Sequence, residues 1–189
     1  MRSKKLLSLL TFIIITVFNA NHSYSIEPDV FVQSTVNRAS EALGSKLSKE
    51  EKIKELKKIA SETVDVKGIG FYTLGGHRKN INASQIIEYE ALFEEYFLKS
   101  FSSRLAEYSN PEIEVVSKKK LNENYTMVSS VLVSTEKRPE VKINWRIYTK
   151  DPKNPFIRDL IIEGLSLART QKEEFSSIIQ SNGGDISAL

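Results

Sequence analysis

Residues 141–148 read VKINWRIY, and this stretch shows the clearest structural pattern in the chain. Apolar residues occupy every second position from Val141 to Ile147, and Lys142 begins the alternating set of polar residues. Because successive side chains of a strand point to opposite faces, the pattern predicts a strand with one face in an apolar interior. The other face lies near water, which is typical of an antiparallel sheet that is covered on one side.

The same period of two continues on both sides of this strand. It predicts three further strands, at residues 113–115, 125–133 and 156–162. Short polar or proline-containing segments separate the four strands, and such short connections favour antiparallel neighbours. We therefore expect a twisted, mostly antiparallel sheet of four strands arranged as a meander.

Helical periodicity dominates the rest of the chain. It predicts a helix over residues 28–44, a second helix that begins at the capping-box serine Ser48, and a third over residues 82–105. The third helix carries large aromatic residues on one face over about five turns. A last helix over residues 170–180 ends before Gly183-Gly184. Helices before and after a sheet predict an α+β domain in which the helices cover the apolar face.

Residues 1–25 have the pattern of a secretory signal peptide. A basic start at residues 2–5 precedes an apolar run at 6–18, and a small-residue cleavage site follows at 23–25. The run is shorter than the roughly 20 residues that a transmembrane helix needs, which favours a cleaved leader over a retained anchor. We expect export to the periplasm, with a single mature domain at residues 26–189.

The expected mature domain is electrically balanced. The whole sequence has 27 basic and 24 acidic residues, and Arg2, Lys4 and Lys5 account for the excess. The domain therefore lacks the global positive field that would attract nucleic acid or an anionic membrane surface. The sequence contains no cysteine, so its stability must come from a hydrophobic core rather than from disulfides.

Sequence motifs for catalysis are sparse. The sequence has no HExxH pair, no Gly-x-Ser-x-Gly elbow and no phosphate-binding glycine-rich loop. A Ser-His-Asp site would depend on His77, the only histidine of the mature domain. The glycines of residues 68–76 indicate close packing or turns, and the carboxylates of residues 88–95 indicate a solvated helix face. The lysines of residues 118–120 indicate either partner docking or protection of a sheet edge.

Five motifs together resemble one protein family. The most specific reads DLIIEGLSL at residues 159–167, and FSSII at 175–179 with Gly183-Gly184 follows it. Leu74-Gly75 and the FEEY of residues 93–96 precede it. With these motifs the chain resembles the MlaC, or toluene-tolerance, family over nearly all of its mature part.

The resemblance implies a soluble periplasmic protein that binds a glycerophospholipid, uses no cofactor or metal, and is not an enzyme. Such a protein would exchange lipid between an outer-membrane lipoprotein complex and an inner-membrane ABC transporter with its substrate-binding membrane component. This exchange would maintain the lipid asymmetry of the outer membrane. The resemblance therefore implies binding and hand-off rather than chemistry.

The chain departs from the family pattern at three places. Gly76-His77-Arg78 and Phe156 stand where tryptophan is common, and Gln171-Lys172 replaces a Tyr-Arg pair. Since lysine offers only a point charge, we assign no phosphate contact to Lys172. Two other classes stay open: a secreted lipid hydrolase or esterase that uses His77 with a serine, and a structural envelope module without a ligand.

A lipid carrier needs an apolar chamber, which we expect between the aromatic face of the third predicted helix and the apolar face of the sheet. Exposure of on the order of 30 acyl methylenes to water would cost about 20 kcal/mol or more. The candidates for the chamber wall, chosen by face, are Phe71, Leu74, Phe93, Phe97, Phe101, Val131, Val133, Ile143, Trp145, Ile147, Leu160 and Ile162.

Overall fold

The computed structural model describes residues 25–108, 111–136 and 138–189. The expected signal peptide lies outside these residues, apart from Ser25, so the leader and the domain boundary stay predictions. The elements are α1 (Pro28–Gly44), α2 (Lys49–Thr63), α3 (Val66–Leu74), α4 (Ala83–Leu105), β1 (Ile113–Lys120), β2 (Tyr125–Leu132), β3 (Val141–Tyr148), β4 (Phe156–Ile162), β5 (Leu165–Ser166) and α5 (Leu167–Ser181), with short 3₁₀ turns at His77–Asn80 and Ile186–Ala188. Within the described ranges, no helix has the length and apolarity needed to span a membrane.

The sheet has five strands in the order β1-β2-β3-β4-β5, and each neighbouring pair is antiparallel. This confirms the α+β class and the meander, but the expected number of four strands is wrong. Glu163 and Gly164 both have positive φ, as a two-residue type I′ turn requires, and they bring Leu165 back to pair with Ile162. A strand of two residues leaves no periodic signal in a sequence.

Local capping signals set the ends of the helices. Ser48 accepts a hydrogen bond from the Glu51 N–H and Glu51 closes the predicted capping box, while Asn82 caps α4. The last helix begins at Leu167, three residues earlier than predicted, because Ser166 caps it by accepting from the Arg169 N–H.

Helix α3 was not predicted from the sequence. Its nine residues include Gly68 and Gly70, and each glycine disfavours a helix by about 1 kcal/mol. The helix begins at Asp65, whose carboxylate accepts from the Gly68 N–H at 2.8 Å. Its hydrophobic contacts with α4 and α5 stabilise it in spite of its low propensity.

The packing of α4 differs from that of α1 and α5. Helix α1 lies against β1 and β2, and α5 lies against β4, whereas α4 packs mainly on α2 and α3. The aromatic helix therefore stands apart from the sheet. This separation leaves room for a cavity that α1 and α2 close from the side.

Candidate functional site

An apolar cavity of about 280 Å³ lies between α4 and the β3-β4 part of the sheet; we call it the main cavity. Phe93, Phe97 and Phe101 project from α4 as one wall, and Trp145 and Leu160 contribute from the sheet. The other lining residues come from α1, α2 and their neighbours: Thr35, Val36, Ala39, Leu56, Ile59, Ala60, Thr63, Val64, Ile69, Tyr96, Ser100, Arg104, Leu105, Ile157, Asp159, Leu167, Ala168, Thr170, Gln171 and Glu174.

Some of the sequence-derived candidates, on the sheet face and on α3, lie outside this cavity. Ile143 and Ile147 are 8% and 0% exposed and belong to the close-packed core. Ile162 pairs with Ile143 across β3 and β4. Leu74 is fully buried at the end of α3, and the half-buried Phe71 ring lies 5.6 Å from the Lys67 ammonium.

Val131 and Val133 were assigned to the wrong face of the sheet. In β2, Val128 pairs with Trp145 and Ser130 pairs with Ile143, so the even-numbered residues face the helices. Val131 pairs with Lys142 on the opposite face, and Val133 follows the strand in the same alternation. Serines occupy both faces of β2, so hydrophobicity alone did not reveal the inward face. The inward Ser130 is satisfied because its hydroxyl accepts from the Trp145 indole N–H at 2.8 Å.

Small side chains on α1 and α2, which the sequence reading did not assign to the site, make room for the cavity. Thr35 and Ala39 lie one turn apart on α1, and Ala60 and Thr63 lie one turn apart on α2. The threonine hydroxyls donate to backbone carbonyls one turn earlier in their own helices, at 2.9 and 2.7 Å. Their polar groups are thereby satisfied within the wall. Small residues on an otherwise apolar inward stripe are compatible with such a void, but a close-packed core uses them as well, so the sequence carries no signal specific to it.

The mouth of the main cavity lies between the second half of α4 and the first half of α5. Tyr96 and Arg104 on α4 and Glu174 on α5 line the cavity and are exposed. Arg104 is the only lysine or arginine in this lining, and within the described residues its guanidinium has no hydrogen-bond or ion-pair partner. The mouth therefore offers one positive charge to a ligand group outside the apolar chamber.

Another charged residue of the lining, Asp159, already has partners. It is 4% exposed, accepts from the Ser166 hydroxyl at 2.7 Å, and accepts from the Ala168 N–H at 3.0 Å. These contacts place its negative charge at the N-terminus of α5, where the helix dipole favours it. Asp159 thus stabilises the start of α5 and blocks an anion from that helix end.

The aromatic wall is held by ring contacts and by a close approach of α3. Phe93 stacks against Tyr89 and Phe97, with ring centroids 5.7 and 6.1 Å apart, and Phe175 meets it edge-on at 6.2 Å. The Tyr89 hydroxyl lies 2.8 Å from the Thr73 hydroxyl. Burial raises the pKa of Tyr89 to about 12. The rings of the wall are consequently in close contact with one another, and Tyr89 is uncharged at neutral pH.

The hydrolase alternative rests on one weak contact. His77 Nε2 lies 3.4 Å from the Ser176 hydroxyl, and among the described residues no carboxylate hydrogen-bonds to His77. Neither residue lines the main cavity. Likewise, no cluster of three or more potential metal-ligating residues is found in the part of the chain that the structure describes.

Comparisons with known proteins agree with this architecture. A model of the MlaC protein family matches residues 32–189. The solved structure of a phospholipid-binding protein from Ralstonia solanacearum, in complex with a phospholipid, superposes with a TM-score of 0.72 at 17% sequence identity. The similarity covers 87% of this chain and 93% of that one, and at this identity it shows a shared fold. Since the family model covers most of the sequence, the chain belongs to the MlaC family.

Proposed function

We propose that the protein is a periplasmic phospholipid carrier that shelters acyl chains in the main cavity. The observation that carries this proposal is the cavity itself: an aromatic and aliphatic chamber whose threonine hydroxyls are satisfied by their own helices. Family membership and the phospholipid bound to the structurally similar protein support the same ligand class.

The orientation of the lipid follows from the polarity of the site. Acyl chains gain free energy only where water is excluded, at about 0.8 kcal/mol for each buried methylene. The phosphodiester keeps its hydration when it stays at the mouth, where Arg104 provides a positive charge. Arginine matches phosphate geometry well because its planar guanidinium donates two parallel hydrogen bonds. The lipid therefore enters with its tails first.

The carrier role requires exchange rather than catalysis. In this proposal the protein exchanges lipid between an outer-membrane lipoprotein complex and an inner-membrane ABC transporter with its substrate-binding membrane component, and so maintains outer-membrane lipid asymmetry. The protein itself needs no metal or cofactor, because no bond is made or broken. Energy for directional movement comes from the transporter, since the sequence has no nucleotide-binding motif.

The test compares lipid bound to the purified exported protein with lipid bound to two tryptophan variants. Ala39→Trp fills the main cavity, whereas Ser34→Trp adds the same side chain to the exposed face of α1. Mass spectrometry of organic extracts should find phospholipid on the wild type and on Ser34→Trp, and at least about tenfold less on Ala39→Trp. Circular dichroism checks that both variants are folded.

Three results would contradict the proposal. A wild-type protein without bound phospholipid that also takes none from vesicles would favour the structural envelope module. Equal lipid on both variants would place the ligand elsewhere. Hydrolysis of ester substrates that disappears in His77→Ala would favour the hydrolase.

A further inference from the structure

The sheet edge formed by β1 is covered in one half and open in the other. Among the described strands only β2 pairs with β1, and a bulge between Val115 and Ser117 divides the strand. Before the bulge, the side-chain amide of Gln33 on α1 donates to the Ile113 carbonyl at 3.3 Å and accepts from the Val115 N–H at 3.1 Å. This amide takes the place of a neighbouring strand, because it satisfies backbone groups that β1 directs outward. Residues 116–120, in the second half, are all exposed; we call them the open half of β1.

The register of β1 shows which backbone groups of the open half point outward. Leu121 directly follows β1, and its N–H donates to the Tyr125 carbonyl at 2.9 Å, so these two residues form a hydrogen-bonded pair. In an antiparallel ladder, hydrogen-bonded and non-hydrogen-bonded pairs alternate. Counted back from Leu121, Lys120 and Lys118 belong to non-hydrogen-bonded pairs with β2. Their N–H and C=O groups are therefore directed toward the open edge, where a further strand would find them.

The side chains of the open half carry positive charge. Lys118 is neutralised by Glu27 and Asp29 on the side of α1, whereas no acidic side chain in the part of the chain that the structure describes pairs with Lys119 or Lys120. Two copies of the open half would bring lysines against lysines, and like charges opposite each other destabilise a sheet. A strand with acidic residues would instead be attracted. The same lysines thus oppose self-pairing and favour an acidic strand.

We propose that the open half of β1 is a docking edge for an extended acidic segment of a partner protein, which adds to the sheet as a further strand. The backbone groups of Lys118 and Lys120 supply the ladder hydrogen bonds. The ammonium groups of Lys119 and Lys120 select two adjacent acidic residues, one on each face of the added strand. No residue of β1 lines the main cavity, so a partner bound at this edge leaves the lipid site unobstructed.

The test uses a peptide with blocked ends and the sequence TVEEVT. Its valines and threonines favour an extended chain, and its two glutamates fall on opposite faces. Amide NMR titration of the purified exported protein should give a Kd at least about tenfold lower than that for the peptide TVKKVT. The difference should shrink as salt is added, because salt screens exposed charges. Hydrogen exchange should slow at the Lys118 and Lys120 amides when TVEEVT is bound.

Two substitutions of one residue separate backbone pairing from charge. Lys120→Thr removes the ammonium group and keeps the N–H, whereas Lys120→Pro removes both. Proline is tolerated on an edge strand where its missing N–H would face outward. We expect Lys120→Pro to bind TVEEVT at least about tenfold more weakly than Lys120→Thr. A measurement on the wild type avoids any effect on folding: TVEEVT that is N-methylated at both glutamates should bind at least about tenfold more weakly than the unmodified peptide.

Several outcomes would overturn this inference. If TVEEVT does not bind at millimolar concentration, the lysines serve edge protection alone. If the N-methylated peptide binds as tightly as the unmodified one, the lysines attract acidic segments by charge without strand addition. Slowed exchange that is confined to residues outside β1 would place the peptide elsewhere. None of these outcomes depends on bound lipid, so each leaves the carrier function standing.

Discussion

At the scale of single residues, Gly70 decides how closely α3 approaches the aromatic wall. A Cβ atom at this position would lie 2.9 Å from Cδ1 of Phe93, closer than van der Waals contact allows. The aromatic ring is itself fixed by Tyr89, Phe97 and Phe175. Glycine at position 70 thus permits a contact that alanine, although the better helix former, prevents.

Gly70→Ala should therefore destabilise the protein. The gain in helix propensity is about 1 kcal/mol, while overpacking in a close-packed core costs about 1–3 kcal/mol, so we expect a net loss. Gly76→Ala is the matched control, because no atom lies within 4 Å of its added Cβ and its φ of −72° suits any residue. Urea denaturation measures the free energy of unfolding of both variants and of the wild type. Equal stability of the two variants would show that Phe93 moves freely.

Tyr89 makes the stability depend on alkaline pH. Burial raises its pKa to about 12, from 10.0 for an exposed tyrosine, so the folded state holds the proton more tightly than the unfolded state. The corresponding stability is complete below pH 10 and is lost as the pH rises through 12. The loss should be about 2 kcal/mol over this range.

Tyr89→Phe removes this loss. Its free energy of unfolding should be lower than that of the wild type at neutral pH, because the contact with Thr73 is lost. Between about pH 10 and pH 12 the difference should shrink or reverse. Denaturation series of both proteins at several pH values measure this difference. Parallel curves would mean that Tyr89 ionises without penalty.

At the scale of elements, the motif of residues 159–167 joins three elements of the fold. Asp159 on β4 accepts from the Ser166 hydroxyl and from the Ala168 N–H, so one buried carboxylate holds the end of the sheet to the start of α5. Glu163 and Gly164 make the turn between these elements. The motif therefore positions the mouth residues of α5, and its Asp159, Leu160 and Leu167 also line the main cavity.

Loss of the Asp159 carboxylate should detach α5 from β4. Asp159→Ala leaves the Ala168 N–H without its acceptor, which costs about 1–3 kcal/mol. Asp159→Asn keeps an oxygen that accepts from this N–H, so the free energy of unfolding should fall less in this variant than in Asp159→Ala. Hydrogen exchange of the first turn of α5, together with urea denaturation, distinguishes the variants. If the Asn variant is as unstable as the Ala variant, the negative charge of Asp159, rather than its hydrogen bonds, stabilises the start of α5.

The lysines of residues 118–120 lie on β1, which is an edge strand of the sheet. Lys118 pairs with Glu27 and Asp29 at the start of α1, at 2.6 and 2.8 Å. Its hydrogen bond lowers the pKa of Asp29. Lys118 is thereby committed to the contact between α1 and β1. Lys119 and Lys120 remain for edge protection or for partner docking.

At the scale of the whole molecule, sequence patterns located the elements better than the space between them. Residues close together in the sequence carry the patterns that predicted two of these elements: the alternation of the strand at residues 141–148, and the Asn82 cap of α4. The cavity has no such signal, because it depends on how far α4 stands from the sheet. Ala39 and Thr63 are inward positions in any packing, and only the assembled fold shows that they face a void.

The division of the apolar interior into core and cavity predicts opposite responses to a buried acid. Ile143 is 8% exposed in the close-packed core, so Ile143→Asp places a carboxylate where neither water nor a partner can stabilise it. The cost of several kcal/mol is comparable with the whole stability of a domain, about 5–15 kcal/mol. We expect the circular dichroism spectrum of this variant to be that of an unfolded chain.

Ala39→Asp places the same carboxylate in the main cavity, where the open mouth admits water. The acid should remain ionised and the fold should persist, but acyl chains cannot solvate the charge, so the amount of bound lipid per protein should fall. Circular dichroism and lipid extraction are measured together on both variants. A folded Ile143→Asp protein without lipid would extend the chamber along β3 as far as Ile143, because only a solvent-accessible space tolerates that charge.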